Sequence, residues 1–234
     1  MQPLCRRAML APMLDLTRQR WFDISPPITD KIAVFPGDTP FERQVLMDFQ
    51  QGNHLELSTI RTTVHLGAHT DAPNHYHADG QGIHQRNLNY YVGLCEVRHV
   101  PVPPRTRLTP AHLQDQPPRA PRLLLRTDTF RDPETWTNDF AALTPELVHW
   151  LADHGVLLVG IDTPSVDLAD DRVLASHHAI FERDLAILEG IVLDEVADGL
   201  YTLIALPLRL VGLDASPVRA ILVQNEEDLV QKAE

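Results

Sequence analysis

Short apolar runs bounded by glycine, proline or aspartate recur along most of the chain. They are rich in valine, isoleucine, leucine and threonine, and they have the length of strands. The candidate strands cover residues 58–66, 95–100, 122–127, 155–162, 201–210 and 218–224. Several hold consecutive apolar residues instead of an alternating pattern, which predicts strands that are buried on both faces of a sheet.

Two segments have helical features. In residues 144–155, Thr144 can cap the N-terminus, Pro145 suits the first helical position and Gly155 can end the helix. A second helix is predicted to cover residues 167–183, with its start left open. Because strands predominate and helices lie between them, the sequence predicts an α/β protein with a mixed β-sheet and packed helices.

Length and composition indicate one globular domain, which we assign to residues 21–234, after a disordered leader over residues 1–20. The leader has no apolar core of the kind that a signal peptide needs. No apolar run approaches the ~20 residues that span a membrane. We therefore expect a cytoplasmic protein without a membrane partner.

The formal net charge of -12 makes nucleic acid and anionic membrane poor candidate partners. The two cysteines, Cys5 and Cys95, are far apart in the sequence and form no CxxC pattern. A thiolate metal site and a disulfide framework are therefore both disfavoured. Patterns of serine nucleophiles and phosphate-binding glycine loops are weak or absent as well.

The stretch VHLGAHTDAPNHYH, residues 64–77, concentrates side chains that bind metal ions. On a straight strand, residues four apart lie about 13 Å from one another, too far for nitrogens that share one zinc ion at about 2.1 Å. Gly67 and Pro73 disfavour a helix. We therefore predict a strand that ends near His65 and a tight turn at Gly67, which brings His65, His69 and Asp71 around one cation.

Further ligands can come from a distant segment, ASHHAIFERDLAILEGIVLDEV. Its residues leave two histidines open as candidates, His177 and His178. Glu189 lies in an apolar run that resembles a strand, where an unpaired carboxylate would be costly to bury. With Asp71 and Glu189 both available to bridge, an arrangement of two metal ions is a further alternative to a single ion.

The segment HLGAHTDAPNH resembles the H-x-G-T-H-x-D-x-P-x-H signature of the cyclase-like metal hydrolases. Other segments, among them VFPGDTPFE, LLLRTDTF, GIDTPSVD, AILEGIVLDEV and LDASPVRAIL, resemble one branch of that superfamily, the bacterial kynurenine formamidases (arylformamidases). The resemblance covers residues 21–222. It implies a swivelling β/α/β arrangement, a homodimer and two zinc ions per subunit, with manganese or another divalent metal as alternatives.

Carried over by position, the resemblance implies that His65, His69 and Asp71 bind one metal ion. It implies that His177 binds the second ion, and that Asp71 and Glu189 bridge the two. His177 is selected over its neighbour because the family places this histidine twelve residues before the glutamate, which fits the spacing from 177 to 189.

The resemblance also assigns roles next to the metal. His75 matches the residue that donates and accepts protons, and Phe35 lies where the family usually has a tryptophan that contacts the substrate. Two departures stand out: Phe35 lacks the indole N–H donor, and Ala68 replaces the threonine of the signature.

The function implied is metal-dependent hydrolysis of N-formyl-L-kynurenine to L-kynurenine and formate, a step of tryptophan breakdown in the kynurenine pathway. One alternative keeps the metal site and changes the substrate, as in an isatin hydrolase or another aryl-amide hydrolase. A second alternative is a metal-binding protein without catalytic activity, against which the intact His75 argues.

Overall fold

A computed structural model describes residues 19–225 of the chain. The described part contains two α-helices, α1 (Pro145–Asp153) and α2 (Ala175–Glu182). Its strands are β1 (Gln19–Asp23), β2 (Glu42–Met47), β3 (Leu57–Arg61), β4 (His69–Asp71), β5 (Val92–His99), β6 (Arg107–Leu108), β7 (Arg122–Arg126), β8 (Ala142–Leu143), β9 (Leu158–Ile161), β10 (Ala186–Leu188), β11 (Gly199–Ile204), β12 (Ala215–Pro217) and β13 (Ile221–Asn225).

A seven-stranded mixed sheet in the order β1-β13-β11-β5-β7-β9-β10 organises the fold. Strands β1, β13, β11 and β5 pair antiparallel in that order, and β5, β7, β9 and β10 pair parallel in that order, so β5 joins the two halves of the sheet. Three two-stranded sheets, β2–β3, β4–β12 and β6–β8, accompany it. The predicted α/β class with a mixed sheet is confirmed.

Apolar side chains cover both faces of the parallel half of the sheet. In β7, Leu123 and Leu125 pack on one face together with Leu147 of α1 and Ile180 of α2. Leu124, between them, packs on the opposite face. These leucines are fully buried. The expectation that the apolar runs form strands buried on both sides is therefore correct.

Helix α1 forms where its end signals predict it. The Thr144 side chain accepts a hydrogen bond from the Leu147 N–H at 3.1 Å, and Pro145 is the first helical residue. After the helix, Gly155 has φ +80°, a left-handed conformation that suits glycine.

Helix α2 begins later than the predicted segment 167–183. Leu174 has φ +53°, so the helix cannot extend back through it. Asp167 instead accepts hydrogen bonds from the N–H groups of Ser176 and His177. A side chain from outside the helix thus caps its N-terminus.

Several predicted strands differ from the observed ones at their ends, and two of them extend too far towards the C-terminus. The strand predicted over residues 58–66 ends at Arg61, because Thr63 donates its hydroxyl to Asp38 and its Oγ1 accepts from the His65 N–H. Such side-chain bonds compete with a strand ladder. The strand predicted over residues 201–210 ends at Ile204, shortly before a proline.

The ends of the chain lie outside the described residues. Gln19 and Arg20 belong to β1, while the rest of the predicted leader and Cys5 precede the described part. The start of the domain therefore stays a prediction. Within residues 19–225, no helix has the length and apolar character needed to cross a membrane.

Candidate metal centre

Strand β4 carries two predicted ligands, His69 and Asp71, and is held from both sides. On one side β12 pairs with it, with Ala215 opposite Asp71. On the other side, His69 and Glu189 exchange backbone hydrogen bonds of 3.1 and 2.9 Å. The chain thereby places Glu189, which follows β10 directly, next to a histidine 120 positions earlier in the sequence.

Two glycines make this close pairing feasible. Gly67 has φ +55°, as the tight turn requires, and Gly190 has φ +64°. A Cβ atom on Gly190 would lie 2.2 Å from the carbonyl oxygen of Gly67. Only glycine fits there without moving the backbone that carries the site.

Replacing Gly190 with alanine should therefore lower the free energy of unfolding by more than the ~1–3 kcal/mol of a strained backbone conformation. Gly155→Ala is the matched control, since its φ is +80° but a Cβ would meet nothing within 4 Å. Denaturant unfolding of both variants measures the difference. Equal losses of stability in Gly190→Ala and Gly155→Ala would contradict the prediction, because the contact with the Gly67 carbonyl oxygen would then add no cost.

Asp71 lies at the centre of the histidine cluster. Its Oδ1 is 3.0 Å from Nδ1 of His65 and 3.5 Å from Nε2 of His69. Its Oδ2 is 3.5 Å from Nε2 of His177 and 4.0 Å from Nε2 of His75. The local cluster and the distant histidine thus meet at one carboxylate.

Glu189 completes the group. Its Oε2 is 3.2 Å from Nε2 of His69, and its Oε1 is 3.9 Å from Nε2 of His177. Oε1 also accepts a hydrogen bond from the Val166 N–H at 2.7 Å. His177 is buried on α2 whereas His178 is exposed, so the structure brings His177 to the cluster.

The outward nitrogens of His65, His69 and His177 each lie next to an oxygen atom. Nδ1 of His69 lies 2.9 Å from the Gly67 carbonyl oxygen, and Nδ1 of His177 lies 2.8 Å from Asp167. Nε2 of His65 lies 3.0 Å from Asp214. When the outward nitrogen donates its proton to an oxygen, the inward nitrogen keeps a lone pair for a cation.

The donor set fits a divalent cation. Asp71 Oδ1 is buried, and among the described residues its 3.0 Å approach to Nδ1 of His65 lacks the geometry of a hydrogen bond, an arrangement that a cation between the two atoms would relieve. Two overlapping groups have ligand atoms within 4.8 Å of one another: His69, Asp71 and Glu189, and His65, Asp71 and His75. Imidazole and carboxylate ligands are those of zinc and similar metals.

The carboxylates strongly affect protonation of the metal-free site. Burial disfavours the charged form of His65 and His177, but the carboxylates beside them outweigh it: Asp71 raises the pKa of His65 to about 9, and Asp167 with Asp71 raises the pKa of His177 to about 10. Burial opposes ionisation of Asp71, yet the His177 and His65 rings beside it hold its pKa well below the usual value.

Metal affinity should consequently rise steeply between about pH 7 and pH 9. Below these raised pKa values His65 and His177 carry protons that a cation must displace. For each proton displaced, the metal affinity becomes tenfold weaker with every unit by which the pH falls. The stability that these protons give the metal-free fold is complete below pH 6.5 and is lost as the pH rises through about 9 and 10.

Chelator competition at several pH values, with calorimetry in buffers of different ionisation enthalpy, measures both the affinity and the protons released. A metal affinity that does not change from pH 7 to pH 9, without proton release, would contradict the displacement of protons from His65 and His177.

A cavity of about 500 Å³ opens above the cluster, within the size range of small-molecule sites. Its wall is aromatic: Phe35 contacts Trp136 edge-on, with ring centroids 5.2 Å apart, and Phe130 packs against the same indole. Phe35 is 47% exposed, so its ring is available to a ligand. Ala68, the other departure from the signature, is buried in the core below the site.

Three residues of this site, Asp167, Asp214 and Trp136, were not predicted from the sequence. Asp214 and Trp136 come from loops that are distant in sequence from the histidine cluster, whereas Asp167 lies only ten residues before His177. Asp167 and Asp214 lie within two segments that resemble the family, GIDTPSVD and LDASPVRAIL, but no spacing rule ties them to His177 or His65.

Comparisons with known proteins agree with this geometry. The model of the family described as "Putative cyclase" matches residues 22–168. Kynurenine formamidase of Bordetella petrii is 43% identical over 205 residues, which cover 87% of this chain and 98% of the relative.

Solved structures also superpose on the chain. A potential metal-dependent hydrolase with cyclase activity has a TM-score of 0.77 at 26% identity, over 89% of this chain and 99% of the other. Isatin hydrolase A from Labrenzia aggregata has a TM-score of 0.78 at 21% identity, over 91% and 96% of the two chains, which shows a shared fold. The chain thus belongs to the cyclase family of metal-dependent hydrolases and, within it, to the kynurenine formamidases.

Proposed function

We infer that the protein hydrolyses N-formyl-L-kynurenine to L-kynurenine and formate. The observation that carries this inference is the cluster of Asp71, Glu189 and the histidines at the floor of an aromatic cavity, in a chain 43% identical to a kynurenine formamidase. Water adds to the formyl carbon, the carbon–nitrogen bond breaks, and the aniline nitrogen leaves with a proton.

We propose that the site holds two divalent ions, zinc in the first instance, with manganese or another divalent metal as alternatives. His65, His69 and Asp71 would hold one ion and His177 the other, with Asp71 and Glu189 shared. The short distances from Asp71 to these imidazoles support this assignment. Bound metal would supply an acidified water and a polarised carbonyl oxygen.

His75 is proposed to move the proton. Its ring is one-third exposed towards the cavity, unlike the buried rings of His69 and His177. Nε2 of His75 is also the farthest of the clustered nitrogens from Asp71, at 4.0 Å. From this position His75 can take a proton from water and deliver it to the departing aniline nitrogen.

The aromatic wall is proposed to hold the substrate's ring. Phe35 would present its face or edge to the aminobenzoyl group, and Trp136 supports it from behind at 5.2 Å. Edge contacts of this kind contribute about 0.5–1.5 kcal/mol beyond burial of the rings themselves. The indole N–H of Trp136 already donates to Asn138, so the wall recognises the substrate mainly through apolar contact.

Isatin hydrolysis is the second candidate, since isatin hydrolase A has the same fold. Purified protein of known metal content should be assayed in parallel with N-formyl-L-kynurenine and with isatin. Preferential turnover of the formamide supports the proposal, whereas preferential turnover of isatin would replace it. Bound metal with no turnover of either would indicate a protein without hydrolase activity.

We also propose a homodimer, supported by the hairpin β2–β3. All of β3 and all of β2 except Met47 are exposed, including Val45, Leu57 and Ile60. A two-stranded hairpin is at best marginally stable alone in water, and exposed apolar clusters commonly mark interfaces. Sedimentation equilibrium of the full chain measures the state. The cytoplasmic location stays a prediction from the sequence.

A further inference from the structure

We propose that Asp214 is a positioning residue that orients both the metal-binding His65 and the proton-carrying His75. One oxygen of its carboxylate, Oδ2, lies 3.0 Å from Nε2 of His65 and 3.3 Å from Nδ1 of His75. The proposal rests on the roles inferred above for the two histidines. It adds a residue that touches neither substrate nor metal.

The two imidazoles lie side by side between Asp214 and Asp71. Their ring centroids are 4.2 Å apart. On the far side from Asp214, Nδ1 of His65 is 3.0 Å from Asp71 Oδ1, and Nε2 of His75 is 4.0 Å from Asp71 Oδ2. Each ring therefore has one nitrogen towards Asp214 and the other towards the reaction site.

This arrangement selects a tautomer for each ring. A neutral imidazole has one N–H and one lone pair, and a carboxylate accepts but cannot donate. The nitrogen that faces Asp214 must therefore carry the hydrogen. His65 then presents its Nδ1 lone pair to a cation beside Asp71, and His75 presents its Nε2 lone pair to a proton in the cavity.

The backbone fixes Asp214 relative to Asp71. The Asp214 carbonyl oxygen accepts a hydrogen bond from the Ala72 N–H at 2.8 Å, and the next residue, Ala215, pairs with Asp71 across the β4–β12 ladder. The two carboxylates that flank the rings are thus held by one small sheet. Since the Asp214 side chain is 43% exposed, removing it should leave the fold intact.

The test compares Asp214→Ala and Asp214→Asn with the control Asp79→Asn, which removes the charge of an exposed aspartate near the turn that carries His75. Zinc affinity of metal-free protein is measured by chelator competition, and kcat and KM are measured at saturating zinc. Thermal unfolding of each variant verifies the fold. Asparagine retains the shape of the side chain, so Asp214→Asn can be tested in place of Asp214→Ala if the alanine variant unfolds.

Asp214→Ala should weaken zinc binding about 10–100-fold, as loss of an outer partner of a ligand does. At saturating zinc, kcat should still fall at least tenfold while KM changes less than twofold, because His75 loses its orientation. In a His75→Ala background, Asp214→Ala should lower kcat no further. The asparagine variant, whose amide oxygen is an uncharged and weaker acceptor, should show smaller losses.

Zinc affinity and kcat equal to those of Asp79→Asn would overturn the proposal. So would a loss of kcat that is undiminished in the His75→Ala background, because Asp214 would then act independently of that ring. If the wild-type protein does not hydrolyse the formamide, the inferred activity fails, while the zinc-affinity comparison still tests the contact of Asp214 with His65.

Discussion

His75→Ala is expected to lower kcat about 10²–10⁴-fold while the metal stays bound, the range typical of a lost general acid or base. The ring follows β4 on the short 3-10 turn Pro73–His75 and is exposed at the cavity, whereas the proposed ligands His69 and His177 are buried. Without the imidazole, the aniline nitrogen must leave without a proton or obtain it from solvent. Steady-state kinetics and metal analysis of one preparation measure both effects.

The matched control is His178→Ala. This histidine is exposed on α2 next to the proposed ligand His177, and it does not line the cavity. We expect unchanged kcat and unchanged metal content. Full activity of His75→Ala would remove the proton-transfer role. Loss of metal from that variant would make His75 a ligand, in keeping with its place in one of the two groups of clustered ligand atoms.

Asp71→Asn should have the largest effect on metal binding. Asp71 approaches His65, His69 and His177 within 3.5 Å, and its carboxylate is the negative charge that these rings share. An amide keeps the shape but loses the charge and one acceptor oxygen. We expect zinc affinity and kcat/KM to fall by more than the ~10–100-fold that loss of an outer hydrogen-bond partner costs.

Glu96→Gln provides the matched control. Glu96 and Asp71 are each only 2% exposed, but Glu96 pairs with Arg98 and Arg119, away from the cluster. Loss of a buried ion pair should destabilise the fold without changing metal content. Zinc titrations and unfolding curves for both variants separate the two effects. Equal zinc affinity in Asp71→Asn and wild type would contradict the assignment of Asp71.

Local signals predicted the parts of the fold that local chemistry determines. Helix α1 begins after Thr144 and stops before Gly155 because its caps are encoded next to it. Helix α2 was predicted too long because Asp167, which lies within the predicted segment, caps the helix from outside it. Propensity within a window does not detect a cap of that kind.

The site, like the fold, has parts that neighbouring residues encode and parts that depend on contacts with distant residues. His65, His69 and Asp71 lie within seven residues and were recognisable as ligand types from spacing, with a turn at Gly67 that the structure contains. Spacing left His177 and His178 as equal candidates, and only the family resemblance separated them.

Asp214 and Trp136 could not be found, because a β-ladder and loop packing bring them to the site from distant positions. A single sequence carries no local signal of such contacts. Asp167 lies only ten residues before His177, but it was assigned to the helix itself and its role as a cap was missed.

Titrating metal-free protein with zinc while formate production is followed measures whether the protein hydrolyses N-formyl-L-kynurenine in a metal-dependent way. We expect no formate without metal, a rise that saturates at two zinc ions per chain, and release of L-kynurenine in equal amount. Full turnover by metal-free protein, or no turnover of the formamide at saturating zinc, would contradict this expectation.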